Sequence, residues 1–297
     1  MSDIEKKRIE TAETLSEALP YMKEFSGNTF VIKFGGNAMG SPELTKSFSQ
    51  NIVLMKQVGI NPIIVHGGGP QIGTMLSRLN IQTNFVDGLR VTDKNTVEIV
   101  EMVLSGKINK ELVESLNNAG GTAVGISGKD SKLIVAQRHT KKNYKSDSRI
   151  ENILDLGYVG EPKFINPYIL NIFEKSDIIP VIAPIGVGED GETYNINADT
   201  VAGAIASSIN ARKLIILTDV KGVLDDNGNL IAQLNIDLAK KLMKENTISE
   251  GMIPKIETCL SALDNGTEAV HILDGRIKNA LILEVFTEKG IGTKMVP

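Results

Sequence analysis

The 297-residue chain has no tryptophan, and aromatic residues make up only 4% of it. That scarcity argues against a surface that stacks nucleic-acid bases. Positive charge is not in excess either. A net charge of -4 and a pI near 5.6 argue against nucleic-acid phosphates as the main partner. Cys259 is the only cysteine, which excludes an intrachain disulfide and a thiolate metal site. Its surroundings, Thr258-Cys259-Leu260, read as a packed helix face, and a reducing compartment fits. The three histidines are scattered, so no histidine metal cluster is expected and no metal ligand is assigned. No apolar run reaches the ~18 residues that a membrane span needs. The charged N-terminus lacks the apolar core of a secretion signal, so the chain reads as mature and cytoplasmic.

Several nucleotide and hydrolase fingerprints are missing too. There is no Gly-x-x-x-x-Gly-Lys-Ser/Thr loop. The nearest stretch, Gly125-Ile126-Ser127-Gly128-Lys129-Asp130, has Ala123 in place of the first glycine and Asp130 in place of the hydroxyl residue. No Gly-x-Gly-x-x-Gly follows a strand, which removes the nicotinamide dehydrogenase reading. No Gly-x-Ser-x-Gly elbow occurs.

What is present is an α/β rhythm. Apolar residues make up 41% of the chain, enough for one large domain or two lobes that share a sheet. Strands are predicted at 29–34, 61–66, 122–127, 132–137, 178–184, 213–219, 268–273 and 281–286, the last with a helical alternative. Ser41 and Pro42 mark a helix start, and Leu44, Phe48, Ile52 and Met55 form its buried stripe. Pro70 repeats the device after Gly67-Gly68-Gly69. Alternation of strands and helices implies a mostly parallel sheet covered on both faces. Residues 138–162 break the rhythm and read as a hairpin-bearing excursion. Residues 1–25 form a helical preface with Leu15, Ala18, Leu19, Met22 and Phe25 on one stripe. Pro20 is expected to kink or restart it. Packing on its own subunit and packing on another chain both fit that stripe. The glycine-rich stretch Pro184–Gly191 suggests a lobe boundary, giving a preface 1–25, an N-terminal lobe 26–190 and a C-terminal lobe 191–297.

Chemistry concentrates at strand ends. Val31-Ile32-Lys33-Phe34 delivers a lysine to the carboxyl end of a buried strand, and Gly35-Gly36 follows at once. Ligands of open α/β sheets bind at those ends. Glycines let backbone N–H groups approach an anion. His66-Gly67-Gly68-Gly69 repeats the loop after Pro62–Val65. Further along stand Arg90 in Asp87-Gly88-Leu89-Arg90, Asn195 and Asp199 in Asn195-Ile196-Asn197-Ala198-Asp199, Asp219 and Gly222 in Thr218–Val223, and Lys255 in Gly251–Lys255. Fixed cations beside bare backbone donors equip a site for phosphoryl chemistry.

In order and spacing this set resembles the amino acid kinase family, in its branch that phosphorylates N-acetyl-L-glutamate. The resemblance runs from about Tyr21 to Thr293. It implies a three-layer αβα sandwich with an amino-acid lobe followed by an ATP lobe. It implies that Lys33 and Lys255 flank the transferred phosphoryl group and that Asp199 holds both. Gly36, Gly67 and Gly68 would face the phosphoryl oxygens and the substrate carboxylate, Arg90 the substrate α-carboxylate, and Asn195 its polar backbone. Gly35, Asp219 and Gly222 would seat ATP, with Mg2+ held mainly by the phosphates. Carbamate kinase, aspartokinase, glutamate 5-kinase and uridylate kinase share the opening lysine and glycines. Arg90 and the Asn195–Asp199 phrase favour the N-acetylglutamate branch.

Members of that branch inhibited by L-arginine carry a kinked N-terminal helix that joins dimers into a hexamer. The preface with Pro20 and Tyr21 is similar. The arginine site implied by the resemblance comprises Tyr21, His271, Glu284 and Gly290. In some photosynthetic relatives the PII signalling protein is a further partner, and the resemblance makes it a candidate here.

Overall fold

Strands in this chain alternate their side chains between two helical layers, and that alternation fixes the architecture. The computed structural model describes residues 2–86, 89–143, 152–245, 247–248 and 251–297. Helix α1 (Asp3–Phe25) leads into β1 (Thr29–Phe34), a 3-10 turn (Gly36–Gly40), α2 (Pro42–Gln57), β2 (Asn61–His66) and α3 (Gly69–Arg78). A short hairpin, β3 (Phe85–Val86) and β4 (Leu89–Arg90), precedes α4 (Lys94–Glu101), a π-helical segment (Met102–Ile108) and α5 (Asn109–Asn118). Then come β5 (Thr122–Ser127), β6 (Ile134–Asn143), β7 (Asn152–Ile165), α6 (Tyr168–Glu174), β8 (Ile178–Ala183), β9 (Ile185–Gly188) and β10 (Thr193–Ile196). The remainder is α7 (Ala198–Ser208), β11 (Lys213–Thr218), β12 (Gln233–Asn235), α8 (Ile236–Lys244), α9 (Ile253–Asp264), β13 (Val270–Asp274), α10 (Ala280–Val285) and β14 (Thr293–Val296).

Eight strands form one sheet in the order β12-β14-β13-β11-β1-β2-β8-β5. The six strands from β13 to β5 run parallel, and β14 opposes β13. One core holds Val31, Val65, Ile182, Leu214, Ile216 and Ile272 against α7 and α9. The other holds Phe30, Ile32, Phe34, Ile64, Ile215 and Leu273 against α2, α5 and α10. The fold is therefore an αβα sandwich, and the period of two along each strand sets which layer a side chain meets. The chain leaves β1 toward β2 on one side and returns much later as β11 on the other. In open α/β sheets such a reversal, here at the carboxyl ends of β1 and β11, is where ligands bind.

The predicted helix start holds: Ser41 Oγ accepts from Leu44 N at 3.3 Å, and Phe48, Ile52 and Met55 are buried. Phe34 stacks on Phe48 with centroids 3.9 Å apart, which ties α2 to the sheet. Three expectations need correction. Residues 281–286 are not a strand; Ala280, Leu281, Glu284 and Val285 are buried in α10, a helical spacing that a short apolar run leaves ambiguous. Helix α1 does not restart at Pro20; it runs unbroken from Asp3 to Phe25 with Pro20 inside it. Strand β6 begins at Ile134, after a 3-10 turn over Asp130–Lys132.

The excursion at 138–162 consists of the long antiparallel pair β6 and β7, whose connection at 144–151 lies outside the described residues. With β9 and β10 these strands close a four-stranded barrel. Pro184–Gly191 contributes β9 and part of its turn to that barrel. Gly157 joins the barrel to the segment before α4, where Tyr158 N donates to Thr92 O at 2.7 Å. A methyl group at Gly157 would lie 2.2 Å from Thr92 O, and its φ of +72° suits glycine. On α1, Ala18 and Phe25 are buried while Leu15 and Leu19 are exposed. Among the described residues no helix is long and apolar enough to cross a membrane.

Candidate functional site

Lys33 shares the face of Val31 and so points into the α7 layer. Asp199 stands in the first turn of α7, whose N-cap Asn197 accepts from Asp199 N at 2.8 Å and Thr200 N at 3.2 Å. The Lys33 Nζ lies 3.0 Å from Asp199 Oδ1. Lys255, at the start of α9, places its Nζ 2.7 Å from Asp199 Oδ2. One carboxylate thus bridges two ammonium groups. Burial alone would raise the Asp199 pKa, but Lys33 and Lys255 outweigh it and hold the carboxyl below its usual range. Helix α9 reaches this point because Gly203 of α7 faces Thr258; a methyl at Gly203 would lie 2.9 Å from Thr258 Cγ2.

The glycine loops meet beside the bridge. A methyl at Gly35 would lie 2.9 Å from Lys33 Nζ and 3.6 Å from Gly67 Cα. Gly36 has φ +69° and opens the 3-10 turn. Gly67 N donates to Phe34 O at 2.8 Å. At Gly68 a methyl would lie 2.5 Å from Ile108 Cδ1 and 2.6 Å from Leu104 Cδ2, so the π-helical segment presses on this loop.

Arg90 is buried, with Nη1 donating to Thr83 Oγ1 at 3.0 Å and Nη2 to Gly69 O at 3.1 Å. Its guanidinium lies 4.5 Å over the Phe85 ring. Among the described residues no carboxylate pairs with it. A buried cation held by neutral groups is prepared for an anionic ligand. Its sequence neighbours Asp87 and Gly88 lie outside the described residues. Asn195 is half-buried on β10, opposite Val159 and Ile185.

Asp219 and Gly222 lie in the loop after β11. Asp219 is exposed and accepts from Thr218 Oγ1 at 3.3 Å. Gly222 has φ +146°, and a methyl there would lie 2.5 Å from Thr293 Oγ1. Among the described residues no hydrogen bond or ion pair joins this loop to the Lys33 side chain, although β1 and β11 pair side by side. Tyr21, His271, Glu284 and Gly290 come together elsewhere. They line a cavity of about 410 Å³ between α1, β13 and the segment after α10. There His271 Nδ1 lies 2.6 Å from Glu284 Oε1, and Glu284 Oε2 accepts from Ile291 N at 2.7 Å. Burial favours the neutral carboxyl of Glu284, yet His271 and these backbone donors pull its pKa below the usual value.

A model of the amino acid kinase family matches residues 28–274. The chain belongs to the amino acid kinase family. Acetylglutamate kinase from Rhodospirillum rubrum is 60% identical over 282 residues, covering 95% of this chain and 91% of that one. Acetylglutamate kinase from Parvibaculum lavamentivorans is 60% identical over 286 residues, covering 96% and 94%. Among solved structures, N-acetylglutamate synthase from Neisseria gonorrhoeae, complexed with coenzyme A and N-acetyl-glutamate, superposes with a TM-score of 0.83 at 23% identity. The match covers 96% of this chain and 63% of that longer one. Carbamate kinase from Giardia lamblia bound to AMP-PNP superposes with a TM-score of 0.65 at 15% identity, covering 92% and 99%. These two likenesses concern the amino acid kinase fold.

Three groups escaped the sequence reading. Arg276 forks onto Asp274 with two contacts of 2.8 Å at the end of β13, and Gly275 N donates to Thr218 O at 2.8 Å beside the Asp219 loop. The signal was the Asp-Gly-Arg phrase at a strand end. Lys213 lies 4.5 Å over the Phe25 ring and lines the second cavity; burial, helped by Lys294, lowers its pKa to about 8. His66 stood in plain view before the three glycines, but nothing in the sequence shows its partner, Asn109.

Proposed function

We propose that this chain phosphorylates the γ-carboxylate of N-acetyl-L-glutamate with ATP, yielding N-acetyl-L-glutamyl 5-phosphate in arginine biosynthesis. The observation that carries the reading is the Lys33–Asp199–Lys255 bridge between two glycine loops. The near full-length identity to acetylglutamate kinases supports the choice of acceptor. The attacking group is already a carboxylate, so no general base is needed. One of its oxygens attacks the γ-phosphorus, the bond to the β,γ-bridging oxygen breaks, and ADP leaves with that electron pair.

The obstacle is electrostatic, because one anion must approach another. Lys33 and Lys255 neutralise the phosphoryl oxygens, and Asp199 keeps the two ammonium groups together before substrate arrives. Gly36 and Gly68 supply backbone N–H groups to the reacting oxygens; Gly67, expected to share that role, has its own N–H taken by Phe34 O and instead lets the loop pass close to Gly35. Arg90 takes the substrate α-carboxylate, and Asn195 its polar backbone. Gly35, Asp219 and Gly222 seat the nucleotide. Among the described residues no group of three or more His, Cys, Asp and Glu side chains is arranged to hold a metal ion. In this reading Mg2+ arrives on the ATP phosphates and supplies further charge neutralisation there.

The same reading divides the chain into an amino-acid lobe (26–190), an ATP lobe (191–297) and an oligomerisation arm (1–25). Exposed Leu15 and Leu19 support packing of that arm on another copy, in a hexamer. The second cavity mixes four glutamates with four lysine or arginine side chains, a lining suited to a zwitterion with an extra cation. We assign it to L-arginine as a feedback inhibitor. A cytoplasmic setting accords with the ATP consumed. A coupled ADP-release assay across N-acetylglutamate, glutamate, aspartate and carbamate tests the acceptor. Turnover should be at least about a hundredfold higher with N-acetylglutamate than with glutamate, since Asn195 and the site around it would be left unmatched. Equal turnover with glutamate contradicts the assignment.

A further inference from the structure

His66 is the last residue of β2 and is fully buried. Its Nδ1 lies 2.9 Å from Gly67 O, and its Nε2 lies 3.2 Å from Asn109 Nδ2. The Asn109 amide can be oriented without ambiguity. Its Nδ2 also faces Val181 O at 2.9 Å and Ile126 O at 3.3 Å, while its Oδ1 faces Lys110 Nζ at 3.1 Å. Carbonyls require the NH2 group on one side, and the ammonium requires the oxygen on the other. The Nε2 of His66 faces that NH2 group and so carries no proton, the ring proton sits on Nδ1, and Nδ1–H donates to Gly67 O.

That bond fixes a peptide inside a run of three glycines, the residues least able to hold a conformation by themselves. Gly67 is tied at both ends, since its N–H donates to Phe34 O at 2.8 Å. The Gly67–Gly68 peptide is trans, so its N–H points away from the carbonyl that His66 holds. Among the described residues no acceptor takes that Gly68 N–H. We propose that His66 is a positioning residue that locks the Gly67–Gly68 peptide with its N–H aimed at the reacting oxygens. The inference rests on the reading of Gly68 as a ligand of those oxygens given above. Burial drives the His66 pKa down to about 4, so the ring keeps this neutral tautomer at working pH. A preorganised donor acts in the transition state without reorganising, which is why its aim matters to kcat.

Two substitutions separate positioning from packing. In His66→Asn the amide nitrogen takes the place of Nδ1 and keeps the donor to Gly67, but the acceptor for Asn109 is lost. In His66→Gln the amide oxygen takes the place of Nε2 and keeps the acceptor, but the donor is lost. Thermal melts establish that both variants fold. The expected result is kcat within about threefold of wild type for the Asn variant and at least about tenfold lower for the Gln variant, with little change in KM for ATP. A Gln variant as active as wild type, or an Asn variant no better than Gln, overturns the proposal.

Histidine 15N NMR on the wild type gives a readout besides activity. With only three histidines, the His66 signals are assigned from the two variants. A proton on Nδ1 is expected, and a proton on Nε2 overturns the proposal. Lys33→Ala in the same assay marks the underlying reading. If Lys33→Ala loses turnover while the His66 variants rank the wrong way, only the positioning role falls. If Lys33→Ala keeps turnover, the site reading itself falls.

Discussion

At the residue scale, two charged side chains differ in how they are paired among the described residues. Asp199 has two cations, so its own charge is spent within the protein. Arg90 is the opposite case, a buried guanidinium whose hydrogen-bond acceptors among the described residues are Thr83 Oγ1 and Gly69 O. A lysine there could satisfy one neutral acceptor but could not fork onto a carboxylate. Arg90→Lys should raise KM for N-acetylglutamate by about tenfold to a hundredfold, the range expected for a lost charge-assisted bond, with KM for ATP nearly unchanged. Steady-state kinetics with each substrate varied in turn checks this. Equal KM values for N-acetylglutamate in the two proteins remove Arg90 from the substrate site. Most of these residues were legible in the sequence because their types announce themselves: a lysine ending a β-branched run, glycines after it, an aspartate behind an Asn cap. What could not be read was pairing at long range. Lys33, Asp199 and Lys255 are far apart along the chain, and only strand alternation and the α7–α9 crossing bring them together.

At the element scale, the strands that end in loops of small residues were the readable ones. Strands β1, β2, β5, β8 and β11 lie within a residue of where their apolar runs predict. Residues 281–286 read as a strand with a helical alternative, because the apolar run is too short to distinguish periods of two and 3.6, and the helix is the form adopted. The barrel of β6, β7, β9 and β10 was also illegible as such, since its strands are polar on one side and pair out of chain order. Yet α10 carries Glu284, and its helical form turns that carboxylate toward His271 and the second cavity. Glu284 lies below the usual carboxylate pKa because His271 and the backbone donors outweigh burial, so it presents an anion to a guanidinium. We expect wild-type activity to fall as L-arginine is added and Glu284→Gln to lose most of that response, with activity in the absence of arginine retained. An inhibition assay, with melts to verify folding, checks this. Unchanged arginine sensitivity in Glu284→Gln places the inhibitor elsewhere.

At the scale of the whole molecule, the sheet acts as a table on which the two halves meet. Strand β1 lies at its centre, with β2 on one side and β11 on the other, and the Lys33 loop opens at the point where the chain changes direction. In the proposed reading the loops after β1 and β2 face the amino acid, and the loop after β11, with Gly35, seats the nucleotide. In that reading a phosphoryl group passing between the two substrates crosses in front of Lys33 and Lys255. That arrangement needs no moving base and no metal cage, only cations held in place by Asp199. The most direct measurement is to trap the acyl phosphate with hydroxylamine in the presence of ATP and N-acetylglutamate, for wild type and for Lys33→Ala. The account predicts a hydroxamate product from wild type and a rate lower by roughly two to three orders of magnitude from Lys33→Ala. Hydroxamate formed at the wild-type rate by Lys33→Ala, or ADP released by wild type with no hydroxamate, would contradict it.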